Sequence, residues 1–156
     1  MEYAIVTVSE KTFFARLIQL FTWSKWNHVA FYIKSFYLNG IEQKDVIAEM
    51  NLKGVNLYSM DSYIKNKKIR LHKKTPKINL GRALGFIMRN KHRKYDFLRT
   101  IFFFYKPKDV NDKEKWNCIE FIESMFRDQD VELFDGRKLT PAQINKKLSS
   151  EDDLEF

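Results

Sequence analysis

The chain has one cysteine, Cys118, in 156 residues. A single thiol excludes an intramolecular disulfide framework and fits a reducing compartment. A secretory leader is equally missing from view. Met1 to Val8 is a short apolar stretch containing Glu2, not a positive region followed by a long apolar one. The longest strongly apolar stretch, Phe97 to Tyr105, is interrupted by Arg99 and is too short to span a bilayer. No repeat, linker or low-complexity tract divides the sequence. These absences lead to the expectation of a soluble, cytoplasmic protein with one domain over residues 1–150.

Aromatic residues are abundant, at 15% of the chain with fourteen phenylalanines, so apolar area suffices for a core without covalent staples. Charge is unevenly spread. From Tyr63 to Lys115 there are seventeen Lys and Arg against four Asp and Glu, although the whole chain carries only +8. Such a segment suits an anionic polymer or membrane surface, with nucleic acid the weaker expectation and a solvated basic face the plain one. The last six residues, Glu151 to Phe156, hold four acids and no base, and are expected to fray.

The pattern along the chain is that of an α+β fold. Tyr3 to Val8, His28 to Ile33, Asp45 to Met50 and Gly54 to Tyr58 have the composition of strands, with a hairpin turn at Asn39-Gly40. Phe13, Phe14, Leu17, Ile18 and Phe21 recur at helical spacing, and Met60 to Ile64 suits a helical turn. Ile69 and Leu71 alternate with charged residues as in a partly exposed strand. Helices are predicted after Asn79, over Tyr95 to Tyr105, over Asn117 to Phe126, and from Thr140-Pro141, where proline occupies the first turn.

Two residues bear chemistry. Cys118 stands at the start of a predicted helix, capped by Asp112 or Asn117, and a helix amino terminus favours the thiolate over the thiol. His28 heads an apolar strand, where an imidazole can meet the thiol only through the fold. Glu49 lies in Val46-Ile47-Ala48-Glu49-Met50, where an acid has little reason to be unless something satisfies it. Antiparallel pairing of these two strands puts Glu49 within reach of His28. The plainer readings are a small buried cysteine and a glutamate on the exposed face of an edge strand. His72 and His92 sit among lysines and arginines and are expected to be solvated. No spacing brings Cys118 and a histidine together as metal ligands, so neither metal nor cofactor is expected.

The order of Asn27-His28-Val29-Ala30-Phe31-Tyr32-Ile33, Val46-Ile47-Ala48-Glu49, Gly54-Val55, Lys94-Tyr95-Asp96-Phe97, Trp116-Asn117-Cys118-Ile119-Glu120-Phe121 and Thr140-Pro141 resembles the permuted NlpC/P60 proteins. It looks most like their YiiX/YebB-like branch of papain-fold cysteine hydrolases, in which the histidine precedes the cysteine. The resemblance spans about Ala4 to Leu148. It implies a circularly permuted papain-like fold, with an antiparallel sheet packed against helices. It also implies Cys118 as nucleophile, His28 as base, Glu49 as the group orienting His28, and Tyr95 as a hydroxyl aimed at the oxyanion. Two positions depart from the family pattern: Ile119 replaces a serine after the cysteine, and Asn27 replaces a small residue before the histidine.

The activity so implied is hydrolysis of amide bonds in a peptide or peptidoglycan-like substrate, as a peptidase or amidase. A lipid-directed acyl-ester hydrolase or acyltransferase is the alternative, and a basic binding module without turnover is a third. All three polar residues of the implied triad are present, which favours an enzyme over the binding module.

Overall fold

A computed structural model describes residues 1–12, 15–16, 19–20, 23–95, 115–134, 137 and 139–156. The predicted helical faces at Phe13 to Phe21 and beyond Tyr95 to Tyr105 fall largely outside these residues. Of the second, only Tyr95 is described, and it belongs to a strand.

The chain is α+β. Six strands form one antiparallel sheet: β1 (Tyr3–Ser9), β2 (His28–Leu38), β3 (Ile41–Asn51), β4 (Gly54–Ser59), β5 (Lys68–His72) and β8 (Leu154–Glu155). Their spatial order is β4-β3-β2-β1-β5-β8. A separate pair, β6 (Lys94–Tyr95) and β7 (Lys115–Trp116), is parallel, with Tyr95 opposite Trp116. Four α-helices are described: α1 (Met60–Tyr63), α2 (Leu80–Arg89), α3 (Cys118–Arg127) and α4 (Pro141–Leu148). A 3₁₀ turn, Ile64–Asn66, follows α1.

Strand periodicity divides the side chains between two faces. On one, Val29, Phe31, Ile33, Val46, Ala48 and Met50 join Phe121, Ile122, Met125 and Phe126 of α3 and Ala83, Phe86 and Ile87 of α2 in the larger core. On the other, Val6, Val8, Ala30, Ile47, Ile69 and Leu71 pack with Met60 and Tyr63 of α1. Each fully buried phenylalanine, such as Phe31, Phe121 or Phe126, contributes on the order of 1.5–3 kcal/mol through apolar burial. Glu49 falls on the second face, and β3 lies between β2 and β4, not at the edge of the sheet.

Local chemistry sets the turns and helix starts. Asn39 and Gly40, with φ of 51° and 77°, turn β2 into β3 as a two-residue hairpin loop requires. Gly54 opens β4 at φ +95°, and a Cβ there would stand 2.7 Å from the carbonyl oxygen of Arg93. Only glycine lets the chain leading into β6 come this close. Asn117, not Asp112, caps α3: its side chain accepts from the N–H groups of Ile119 and Glu120, while Glu120 accepts from the Asn117 N–H. This reciprocal box fixes where the helix begins, and hence where Cys118 stands. Thr140 and Gln143 form the same arrangement ahead of Pro141 in α4.

Two expectations need correction. The acidic tail is not frayed. Leu154 and Glu155 pair with Leu71 and Arg70 of β5, and Phe156 exchanges both backbone hydrogen bonds with Ile69. His72 is not solvated either; it is fully buried. Its Nδ1 lies 2.9 Å from Asp153 Oδ2, and its Nε2 lies 2.9 Å from the Thr7 hydroxyl. The Thr7 hydroxyl also sits 3.0 Å from Asn145 Oδ1 on α4. Alternation in β5 turns Arg70 and His72 toward α4, while the acidic partner arrives from 81 residues away. Flanking lysines therefore say nothing about where this ring points. His92 is exposed, as expected.

Candidate active site

The start of β2, the end of β3 and the amino terminus of α3 meet at one end of the sheet. β2 and β3 pair antiparallel, with Phe31 opposite Ala48 and Tyr32 opposite Ile47. Continued to the open end of the hairpin, this register sets His28 opposite Asn51 and diagonal to Glu49, all on the same face. The His28 Nε2 to Glu49 Oε2 distance is 2.8 Å. The thiol of Cys118 lies close enough to His28 to act on the charge of its ring. With Nε2 taken by the carboxylate, Nδ1 is the ring atom left to face sulfur.

The three groups are shielded from water to different degrees. The Glu49 side chain is 3% exposed and that of His28 12%. Cys118 is 5% exposed and occupies the first position of α3. Burial alone would pull the His28 pKa down. The negative charge of Cys118 as thiolate, that of Glu49, and the hydrogen bonds to both outweigh it, and His28 stands well above its ordinary 6.5. For Glu49, burial works upward. The charge and hydrogen bond of His28, the Lys67 charge and the Tyr63 hydroxyl overcome it and hold the carboxyl at about 2. The carboxylate is thus ionised across the range in which a histidine titrates.

Glu49 has more partners than the sequence suggests. Asn51, two residues along the same face of β3, donates its Nδ2 to Oε1 at 2.7 Å. The Tyr63 hydroxyl at the end of α1 donates to Oε2, and Lys67 Nζ lies 3.8 Å from that oxygen. Lys67 also pairs with Glu10 at 2.7 Å. A buried carboxylate without such donors would cost several kcal/mol. The i,i+2 spacing of Asn51 was the one sequence signal here, since it puts Asn51 on the same strand face as Glu49.

Asn27 supplies a second unforeseen contribution. It is 3% exposed, and its side chain and the backbone of Glu10 exchange two hydrogen bonds: Nδ2 donates to the Glu10 carbonyl at 3.0 Å, and the Glu10 N–H donates to Oδ1 at 3.2 Å. Its own N–H reaches the Val8 carbonyl at 3.0 Å. Asn27 therefore extends the β1–β2 ladder by one side-chain rung, which fixes the strand just before His28. A small residue in its place could not make this contact.

A cleft of about 500 Å³ opens at this end of the sheet. Its lining includes His28 and Glu49, the apolar or aromatic Ala15, Leu52, Tyr58 and Tyr95, and the cation Lys53. Tyr95 thus shares a cavity with His28 and Glu49, brought there by the pairing of β6 with β7 just ahead of α3. Cys118 is not among the lining residues. Its contact with the cleft passes through His28, which belongs to both.

Among the described residues, no group of three or more His, Cys, Asp or Glu side chains gathers so as to hold a metal ion. Among the same residues no helix is long and apolar enough to cross a membrane. No protein-family model matches the sequence, and no curated protein matches it.

Proposed function

We propose that the protein is a cysteine hydrolase of amide bonds with a permuted papain-like fold, acting through Cys118, His28 and Glu49. The observation behind this reading is one imidazole bonded to a buried carboxylate, with the only thiol in the chain close enough to act on its charge. In the proposed reaction the Cys118 thiolate forms a bond to the substrate carbonyl carbon, and the carbonyl π electrons move onto oxygen. The first-turn N–H of Cys118 and the Tyr95 hydroxyl receive that oxyanion. The tetrahedral intermediate then collapses, the C–N bond breaks, and His28 gives its proton to the departing amine. Water attacks the thioester as His28 takes its proton, and release of the acid regenerates the thiolate. Glu49 orients the ring throughout and does not itself take the proton.

The basic segment between Tyr63 and Lys115 would suit an anionic substrate such as a peptidoglycan-like polymer. Hydrolysis or transfer of an acyl ester is the second reading, supported by the cleft walls of Ala15, Leu52, Tyr58 and Tyr95. Chemistry at sulfur is the same for both up to the leaving group. Activity profiling against peptide and acyl-ester libraries separates them.

The test is alkylation of Cys118 by iodoacetamide at neutral pH, followed by intact-mass spectrometry. His28→Ala is expected to slow modification about tenfold or more, since an unactivated thiol is only a few per cent ionised. Equal rates in the two proteins would remove the base from the mechanism.

A further inference from the structure

Glu49 Oε2 serves three groups at once. His28 Nε2 stands 2.8 Å away, the Tyr63 hydroxyl donates to the same atom, and Lys67 Nζ lies 3.8 Å from it. Tyr63 is 4% exposed, and Lys67 Nζ sits 3.7 Å above its ring. The ammonium is itself held by Glu10 at 2.7 Å. Phenol, ammonium and carboxylate therefore form one cluster, and Tyr63 and Lys67 line the same cleft as His28 and Glu49.

This arrangement has a chemical consequence. A buried carboxylate whose only partner is an imidazole strongly favours the imidazolium, because nothing else neutralises its charge. Such a histidine keeps its proton and protonates a leaving group poorly. Each additional donor on the same oxygen makes it a weaker acceptor, and a nearby cation offsets part of its field at the ring.

We propose that Tyr63 and Lys67 are positioning residues that set the basicity of His28 through Glu49: Lys67 by its charge, and Tyr63 by sharing the oxygen that His28 uses. This rests on His28 being the base of the site. The other titratable groups around the pair are Cys118 beyond the ring, Glu10 beyond Lys67, Lys53 and Tyr95 in the cleft, and Tyr58. The Tyr58 ring lies 5.8 Å from that of Tyr63, and its hydroxyl accepts from Asn51. Tyr63 stays a phenol at any pH of interest, since burial, then the Glu49 charge, holds its pKa well above 10.

The experiment follows the His28 imidazole by NMR titration of its Cε1–H, assigned by its disappearance in His28→Gln. Lys67→Met removes a cation near an imidazolium, so the midpoint is expected to rise by about half a unit to one unit. Tyr63→Phe is expected to raise it by a smaller amount, and Lys67→Arg to leave it where the wild type has it. If the two residues only brace Glu49, their loss frees the carboxylate to swing away, and the midpoint falls. A fall, or no change in Lys67→Met, overturns the proposal. Lys67 is 21% exposed, so Lys67→Met decides the matter even if Tyr63→Phe does not fold. Were Cys118 alkylation to prove independent of His28, the hydrolase reading would fail while this titration still tested the coupling.

Discussion

Replacing Asp153 with alanine tests whether the carboxyl-terminal tail is part of the fold. The carboxylate accepts from His72 Nδ1 at 2.9 Å, the Lys73 N–H at 3.1 Å, the Ser150 hydroxyl at 2.9 Å and the Ser150 N–H at 3.2 Å. His72 is fully buried, so alanine takes the carboxylate from its Nδ1 where water cannot replace it, leaving the ring with Thr7 and the Leu148 backbone. An unsatisfied buried donor costs about 1–3 kcal/mol. The Lys73 and Ser150 groups lie closer to solvent, and losing their bonds adds about 1 kcal/mol. A total of about 2–4 kcal/mol corresponds to a drop in Tm of about 5–12 °C for a chain of this length. Thermal unfolding followed by circular dichroism at pH 7.5 measures it. A change below about 1 °C would mean that the clasp contributes nothing to stability.

The pH dependence of the same variant is a sharper check. Burial holds the His72 pKa below its ordinary 6.5, against the opposing pull of Asp153. For Asp153, burial pushes upward, but the hydrogen bonds from Ser150 and Lys73 and the charge of His72 bring it below 3.8. Both folded-state values are depressed. Each group therefore adds stability that is present above its unfolded pKa and is lost as pH falls through the folded one. Without Asp153 only the Leu148 backbone resists the depression of His72, so the variant goes on losing stability after the wild type has stopped. The gap between the two is expected to widen below pH 6.5, then to close below pH 3.8 as Asp153 itself takes up a proton. A gap independent of pH between 7.5 and 3 would refute the assignment of these two groups as partners.

Two further outcomes are expected. Gly54→Ala forces a side chain to φ +95° with its Cβ 2.7 Å from the Arg93 carbonyl oxygen, and should cost about 1–3 kcal/mol in urea unfolding; an unchanged midpoint would mean that β4 and the approach to β6 are not so close. Glu49→Gln removes the anion beside His28 and should lower the His28 titration by about one unit or more, opposite in sign to Lys67→Met. Because Glu49 titrates at about 2 in the folded chain against an ordinary 4.5, its contribution to stability is fully present above pH 4.5 and fades as pH falls toward 2. Urea midpoints of wild type and Glu49→Gln at pH 7, 4 and 2.5 follow that fade.

What the sequence made legible was whatever depends on neighbours along the chain. The apolar run Val46 to Met50 and the β-branched residues of β1 and β2 encode strands, because a short apolar run bounded by turn signals suits a strand covered on both faces. Asn39-Gly40 encodes the hairpin, because few other pairs accept positive φ twice in succession. The antiparallel hairpin in turn brings His28 next to Glu49, so this contact is local once the turn is known. Where α3 starts was left open between Asp112 and Asn117, and the Asn117–Glu120 capping box decides it.

The rest depends on partners that periodicity does not name. His72 is polar, flanked by lysines and carried on a short strand. Its burial is set by α4 above it and by an aspartate in the last four residues of the chain, neither of which leaves a mark in the sequence around the histidine. The support of Glu49 was hidden for a related reason. Glu49 stands out because an acid is unusual in an apolar strand, but Tyr63 and Lys67 are ordinary in a short helix and the basic turn after it. They matter only because β4 returns alongside β3, with Asn56 opposite Glu49 and Val46 opposite Ser59, so that α1 begins beside β3 and folds back over that face. An out-of-place polar residue therefore locates a site from sequence alone, whereas the groups that tune it are ordinary residues and become visible only once the chain reversal that delivers them is known.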